Sequence, residues 1–165
     1  MAIHPTQAAL GYDCPLVRRR VIVRGGNKVL GDVVQLDLAL TDAATTTNTV
    51  AATTSGFVNV VTPASAMLPH GLFGVLEENT NDDQKGYAVF EGFCFAYLIK
   101  SSGNIAPGDA LCVTTAGTLS PDGALGRKYV AFYCPLDGST LSSPSTRTLA
   151  RVWFSGLNGI GTHAG

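Results

Sequence analysis

The chain has 165 residues, a formal net charge of −1 and a charged fraction of 14%, against roughly 25% in ordinary soluble domains. This length predicts one domain with a full hydrophobic core, and the lack of net positive charge argues against binding to nucleic acid or to an anionic membrane. Because 45% of the residues are hydrophobic, two explanations stay open: a small Ser- and Thr-coated protein, or a surface covered by other subunits.

Residues 1–16 predict an irregular N-terminal arm, because they contain two prolines and a glycine and show no usable periodicity. The chain does not start with a basic segment followed by an apolar one, so no secretory signal is expected. A single β domain is predicted over residues 17–155. Residues 156–165 hold four glycines and predict a C-terminal tail that becomes ordered only on a partner.

The first predicted strand is strongly basic. Five of the eleven Lys and Arg residues lie between Arg18 and Lys28, and an extended chain places Arg18, Arg20 and Arg24 on one face. One explanation is a solvated edge strand, in which arginine discourages stray pairing. The other is a patch that docks on an acidic protein partner. Direct contact with nucleic acid is less favoured, because no aromatic residues are interleaved.

Short strands separated by turns rich in Gly, Pro, Asn and Asp are predicted along most of the chain. Outside the basic segment they are expected over residues 34–40, 56–61, 72–77, 86–99, 128–134 and 147–154, with one helical turn at 63–68 and a Thr-rich excursion or weak edge strand at 41–55. The central unit is expected to be two long strands joined by a turn at residues 101–104, followed by a short hairpin over Ala116-Gly117. Eight to ten short strands predict an all-β barrel or sandwich.

A faint internal echo links two turns. Asn27-x-Val29-x-Gly31-Asp32 can be laid over Asn104-x-Ala106-x-Gly108-Asp109. In each copy glycine suits an unusual backbone angle and aspartate suits capping of free N–H groups. Two copies do not establish a duplication, but they predict that Asp32 and Asp109 form turns.

No motif for chemistry stands out. The acidic residues between 77 and 83 lie in a polar loop whose composition already explains them, and they lack the spacing of a calcium loop. His4, His70 and His163 have no companion ligand at metal-binding spacing. Nucleophile motifs are missing. We therefore expect no catalytic, cofactor or metal site, and a protein that is not an enzyme.

The four cysteines, Cys14, Cys94, Cys112 and Cys134, are widely separated and form no Cys-x-x-Cys pair. Cys94 and Cys112 lie in apolar predicted strands. We expect them to be buried free thiols, which is consistent with assembly in a reducing cytoplasm.

Several turn-and-strand signatures occur in a characteristic order between residues 30 and 155. They are Leu72-Phe-Gly-Val-Leu-Glu, Glu91-Gly-Phe-Cys-Phe, Ile105-Ala-Pro-Gly-Asp-Ala-Leu-Cys-Val, Ala116-Gly-Thr-Leu and Ala150-Arg-Val-Trp-Phe. This order resembles the small β-rich decoration, or cement, proteins of tailed bacteriophage heads. The basic strand, the Thr-rich segment and the loop over residues 135–145 are not features of that family.

The resemblance implies a non-enzymatic virion protein that binds the outer surface of the expanded capsid, commonly as a homotrimer, after assembly in the host cytoplasm. It would clamp neighbouring major capsid subunits against internal DNA pressure, with no direct contact to nucleic acid or membrane and no cofactor. A charge-poor β core with bridging arms suits that role, because several weak contacts combine through effective concentration. The candidate capsid or subunit contacts are His4, Arg18, Arg20, Arg24, Leu157 and Ile160.

A second hypothesis is a receptor- or carbohydrate-binding head or tail appendage. It requires Tyr87, Tyr97, Tyr129 and Trp153 to form an exposed aromatic platform. Their positions inside alternating apolar runs favour the core instead. A small hydrolase with a dispersed site is a third and less favoured hypothesis.

Overall fold

The computed structural model describes residues 17–37, 58–123 and 127–162. Within these ranges the chain is almost entirely strand, with one short 3-10 helix at Ser65–Met67, so the all-β prediction is confirmed. The strands are β1 (Val17–Val23), β2 (Val33–Leu36), β3 (Val58–Val61), β4 (Phe73–Leu76), β5 (Lys85–Leu98), β6 (Ala110–Val113), β7 (Leu119–Ser120), β8 (Lys128–Tyr133), β9 (Thr148–Ser155) and β10 (Gly161–Thr162). The predicted N-terminal arm, the segment 38–57 and the last three residues lie outside the described residues.

The first half of β5 closes a five-stranded barrel. β1 pairs in parallel with β3, which pairs antiparallel with β2; β2 then pairs with β4, and β4 with residues 88–89 of β5. The ring closes because β1 also pairs antiparallel with β5, from Lys85 to Glu91. The interior, here called the first core, consists of Val21, Val23, Val34, Val60, Leu76, Ala88 and Phe90.

The second half of β5 closes another five-stranded barrel with the same order and the same strand directions. It pairs in parallel with β7; β7 pairs antiparallel with β6, β6 with β8, and β8 with β9. β9 returns to pair antiparallel with residues 91–98 of β5. Its core includes Ala96, Leu98, Leu111, Val130, Val152 and Phe154, with Val33, Phe73 and Val75 added from the first barrel.

The two barrels therefore share one strand. Glu91 pairs with Val17 of β1 and also with Ser155 of β9, so β5 exchanges one neighbour for the other at this residue. The next residue, Gly92, has φ 122°, a backbone angle that only glycine adopts readily. The single residue type without a side chain thus stands where the strand passes from one barrel to the next.

The central unit differs from its prediction. β6 is only four residues long and pairs with β7 and β8 rather than with β5. The short hairpin is confirmed, since β6 and β7 are antiparallel neighbours joined over Gly117, whose φ is 70°. Apolar runs in the sequence indicate where strands lie. Which strands pair with each other depends on residues far apart in the chain, so the pairing of β6 could not be predicted from these runs.

The echo between the two turns is a true structural repeat. The backbone N–H of Val29 donates to Asp32 Oδ2 at 2.9 Å, and that of Ala106 donates to Asp109 Oδ2 at the same distance. Gly31 and Gly108 both have φ 88°. The prediction that Asp32 and Asp109 form turns is therefore confirmed.

Each of these turns is also tied to a loop in the same way. Asn27 Oδ1 accepts the N–H of Asp82 at 2.9 Å, and Asn104 Oδ1 accepts the N–H of Ser143 at 3.2 Å. Isolated bridges join Lys28 to Thr80 and Ile105 to Leu141. Because turns, loop ties and strand order all correspond, the molecule consists of two copies of one barrel motif fused through β5.

Residues 156–162 pack against the two barrels, which overturns the predicted tail for this part of the segment. The N–H of Gly156 donates to Phe90 O at 2.9 Å, and Gly156 O accepts the N–H of Phe73 at 3.1 Å. The last strand then pairs with β8, with Gly161 opposite Tyr129. Glycine is what permits this packing: a Cβ at Gly156 would lie 2.0 Å from Phe73 O. Residues 163–165 lie outside the described residues.

Candidate interaction surfaces

The basic strand β1 pairs with β5 along Val17–Ile22 and with β3 along Val21–Val23. Among the described residues, Arg18, Arg19 and Arg20 therefore have a paired strand on the β5 side alone. Arg18, Arg19 and Arg20 are exposed. The Arg18 guanidinium lies 4.0 Å from the centre of the Tyr87 ring and forms an ion pair with Glu77. We call this surface, formed by Arg18, Arg20, Lys85 and Tyr87, the basic face.

Arg24 does not belong to that face, because it is 6% exposed. Its Nε donates to Asn59 Oδ1 at 3.2 Å, and Nη1 forms an ion pair with Asp83. Its Nη2 has no hydrogen-bond partner. Arg24 therefore ties the end of β1 to β3 and to the loop before β5, and this position makes it unsuited to direct contact with another molecule.

Leu157 and Ile160 are half-buried in the structure. Leu157 packs against the first core, and its carbonyl accepts a hydrogen bond from Lys128 Nζ at 3.3 Å. The N–H of Ile160 donates to Tyr129 O at 2.8 Å. Burial lowers the pKa of Lys128. Both candidate contacts are thus anchored to the barrels, while His4 lies outside the described residues.

A second surface lies on the outer side of the second barrel. Large apolar side chains project from the outward-facing positions of β5, β9 and β8. This aromatic face consists of Phe93, Phe95, Tyr97, Phe132, Leu149 and Trp153. Phe95 is 47% exposed and Leu149 is 41% exposed, whereas the other four are partly exposed.

Ring contacts hold the aromatic face in place. Phe132 and Trp153 are stacked, with ring centroids 6.3 Å apart and planes at 28°. The Arg151 guanidinium lies 4.0 Å from the centre of Phe93, and its Nη1 donates to Cys134 O at 3.0 Å. Such cation–π and stacking contacts order rings that would otherwise lose rotamer freedom on binding.

The expectation that the four aromatic residues of the appendage hypothesis lie in the core is wrong. Tyr87, Tyr97, Tyr129 and Trp153 are all half-exposed, and the buried tyrosine is Tyr133, at 4%. The alternation of small and aromatic residues along β5 is the sequence signal that could have identified these outward-facing rings. Its inward positions from residue 94 onward are the smaller Cys, Ala and Leu, while Phe, Phe and Tyr point outward.

Acidic and thiol groups form no centre in the part of the chain that the structure describes. No group of three or more His, Cys, Asp or Glu residues there could hold a metal ion. Cys94, Cys112 and Cys134 are free thiols. Cys112 is buried as predicted, while Cys94 is half-buried as a residue. Burial raises the pKa of the Cys112 thiol to about 11 and raises that of Cys94 as well, with a smaller effect of the Glu77 charge on Cys94.

None of the helical structure in residues 17–37, 58–123 and 127–162 has the length and apolar character that crossing a membrane requires.

No model of a known protein family matches the chain, and no curated protein matches it. A solved structure with a similar fold is the crystal structure of the head fiber gp8.5 N base in bacteriophage phi29. The TM-score is 0.51 at 11% sequence identity, and the match covers 89% of this chain and 99% of that one. At such low identity the likeness shows a shared fold.

Proposed function

We propose that the chain is a structural protein of a bacteriophage head that binds the outer surface of the capsid. The observation that carries this proposal is the fold, since the two-barrel arrangement is similar to a head-fibre base over nearly its full length. The order of turn-and-strand signatures, which resembles phage decoration proteins, supports it independently.

In its finer form, the proposal is that the protein clamps neighbouring major capsid subunits and so stabilises the expanded head. Its partners are the major capsid protein and other copies of itself, as a homotrimer, with no nucleic acid, membrane, cofactor or catalytic step. Two closed barrels that share a strand suit a clamp, because neither barrel can move far without breaking the pairing of β5.

A second candidate function is an appendage base that presents a receptor- or carbohydrate-binding module. Two observations favour it: the solved neighbour is the base of a fibre, and Tyr97 and Trp153 are half-exposed beside Phe95. The clamp and the base share the same first step, which is binding to the shell.

The experiment that tests the proposal uses heads of the phage that carries this chain, prepared without the protein. Purified protein is mixed with these heads, and the bound fraction is measured by co-sedimentation and located by electron microscopy. We expect saturable binding to expanded heads and a higher temperature of head disruption once the protein is bound. Saturable binding without added head stability would favour the appendage base, and no binding would reject both candidates.

A further inference from the structure

Most of the strongly exposed apolar surface of the described residues is gathered in one place. The described residues include five exposed large apolar side chains, of which Phe95 and Leu149 belong to the aromatic face. Val29 and Leu30 adjoin that face through their neighbour Gly31. A Cβ at Gly31 would lie 2.4 Å from Leu149 Cδ1, and Gly31 O accepts the N–H of Tyr97 at 2.9 Å. The remaining one is Leu136.

The two barrels provide an internal comparison for this surface. In the first barrel Arg18 is the register partner of Val89 on the adjacent strand, and in the second barrel Phe93 is the register partner of Trp153 in the same way. The following outward positions correspond in turn. The equivalent positions are Arg18 and Phe93, Arg20 and Phe95, Ile22 and Tyr97, Lys85 and Leu149, Tyr87 and Arg151, and Val89 and Trp153.

At these positions the first barrel follows the usual rule for a water-exposed sheet. Its exposed positions carry Arg18, Arg20 and Lys85, whereas Ile22 and Val89 are 2% and 1% exposed. The second barrel carries Phe95 and Leu149 where the first carries Arg20 and Lys85, and it carries Arg151 where the first carries Tyr87. Since the same backbone folds with charged residues at these sites, folding does not require apolar ones. A contact with another molecule explains them.

Both charged residues in the range 147–155, Arg147 and Arg151, are arginines. A carboxylate is also nearby on β5, where Glu91 precedes Phe93 by two residues. The Arg147 guanidinium lies 4.2 Å from the centre of the Tyr97 ring and pairs with Asp32 of the first barrel. Both arginines therefore stand in fixed orientations at the margin of the apolar surface.

We propose that the aromatic face is the surface through which the protein docks on the capsid shell, on an apolar patch of the shell subunit rimmed by carboxylates. This rests on the proposed function and names the surface that performs it. Aromatic residues and arginine are the types that dominate binding energy in protein interfaces. Carboxylates on the partner complement the two arginines.

A protein partner fits this face better than a sugar does. Sugar recognition combines an aromatic platform with several polar groups that fix the ligand's orientation. The charged groups beside this face are guanidiniums, and cations complement carboxylates of a protein better than they complement a neutral sugar. Arg151 Nη1 bonds to Cys134 O while its Nε has no partner, and Arg147 pairs with Asp32.

The test compares matched substitutions on the two barrels. Phe95→Ser and Leu149→Ser change the aromatic face, and Arg20→Ser and Lys85→Ser change the equivalent positions of the basic face. Circular dichroism and the thermal midpoint of each variant check that it folds. Binding to heads that lack the protein is measured by co-sedimentation, and oligomeric state by light scattering.

We expect each aromatic-face variant to bind heads about tenfold more weakly or worse, with each basic-face variant within about threefold of the parent protein. Raising the salt concentration should weaken binding of the parent protein, because two arginines contribute. Arg147→Gln should weaken binding more than Arg19→Gln does, which separates the rim of the aromatic face from the basic strand.

Each other outcome is decisive. If the parent protein binds heads and the aromatic-face variants bind equally well, the docking surface lies elsewhere and only this inference is overturned. If the aromatic-face variants lose self-association instead of head binding, the face joins copies of this chain and the inference is again overturned. A parent protein that fails to bind heads overturns the proposed function together with the inference. A parent protein that binds soluble glycans through Trp153 and not the shell does the same.

Discussion

Asp32 of the first barrel forms an ion pair with Arg147, which leads into β9 of the second barrel, and the same carboxylate closes its own turn by accepting the N–H of Val29. Its counterpart Asp109 closes an equivalent turn, with the N–H of Ala106 as donor. Asp32 therefore closes its turn as Asp109 does, and it also ties the two barrels together.

This difference predicts unequal costs for the same substitution. Asp109→Ala should lower the free energy of unfolding by about 1 kcal/mol, the usual loss for a side chain that caps a backbone N–H. Asp32→Ala should cost about 0.5–1 kcal/mol more, since the Arg147 side chain is 42% exposed and its ion pair is partly screened. Urea denaturation of both variants measures the difference. Equal losses would show that the ion pair contributes nothing.

The close packing of Gly156 allows a test of how much the C-terminal segment contributes to the free energy of unfolding. A methyl group there would meet Phe73 O at 2.0 Å, so Gly156→Ala must displace the backbone link between β4 and the end of β9. We expect a loss of about 3 kcal/mol or more, as for overpacking of a buried site. Gly138→Ala is the matched control, because Gly138 has φ 69° and nothing within 4 Å. Its cost should be about 1 kcal/mol.

Thermal unfolding followed by circular dichroism compares these two glycine variants. A Gly156→Ala protein as stable as Gly138→Ala would mean that residues 156–162 can leave the barrels at little cost. The original expectation of a free tail would then hold in solution.

The burial of Cys112 predicts that the free energy of unfolding depends on pH. Its folded-state pKa is raised to about 11 from 9.0 by burial, so the folded protein favours the neutral thiol. Its contribution to stability is then constant below about pH 9 and falls as the pH rises towards 11, because only the unfolded chain releases the proton in that window. Cys112→Ala should flatten this part of the stability profile, as measured by urea denaturation at several pH values.

The same burial predicts slow labelling of Cys112 by a thiol reagent at pH 8 in the native protein. Mass spectrometry of labelled peptides should show modification after unfolding and little before it. Rapid native labelling of Cys112 would contradict the buried position.

The ion pair of Arg24 and Asp83 predicts that removing one of the two charges costs more stability than removing both. Asp83→Asn keeps a residue type that tolerates the φ of 60° at this position but removes the charge opposite the buried guanidinium. We expect a loss of about 1–3 kcal/mol. Arg24→Met with Asp83→Asn removes the buried charge as well and should recover most of that loss, because a buried ion pair is often no more stable than an apolar replacement.

A double-mutant cycle by urea denaturation tests this contrast. The Arg24→Met protein serves as the control for loss of the bond to Asn59. Additive effects of the two substitutions would show that the carboxylate and the guanidinium act independently.

Features that depend on neighbouring residues were predictable. The strand over residues 86–99 corresponds to β5, Lys85–Leu98, and the strand over 147–154 to β9, Thr148–Ser155. The turns at Asp32 and Asp109 were predictable for the same reason: glycine and aspartate act on the backbone within a few residues. For the candidate site, the sequence indicated an arginine-rich strand but misjudged Arg24, whose burial depends on Asn59 and Asp83.

The sequence by itself determined an all-β chain, the positions of its strands and the chemistry of its turns, because alternation and turn preferences are local. Only the tertiary structure decided that β5 serves two barrels, that residues 156–162 pack on them and that the rings of Phe95 and Trp153 face outward. These features arise from pairing between residues far apart in the chain, such as Glu91 with both Val17 and Ser155. Closing a barrel then determines which side of each strand is interior, and a sequence pattern that alternates between two apolar faces cannot distinguish them.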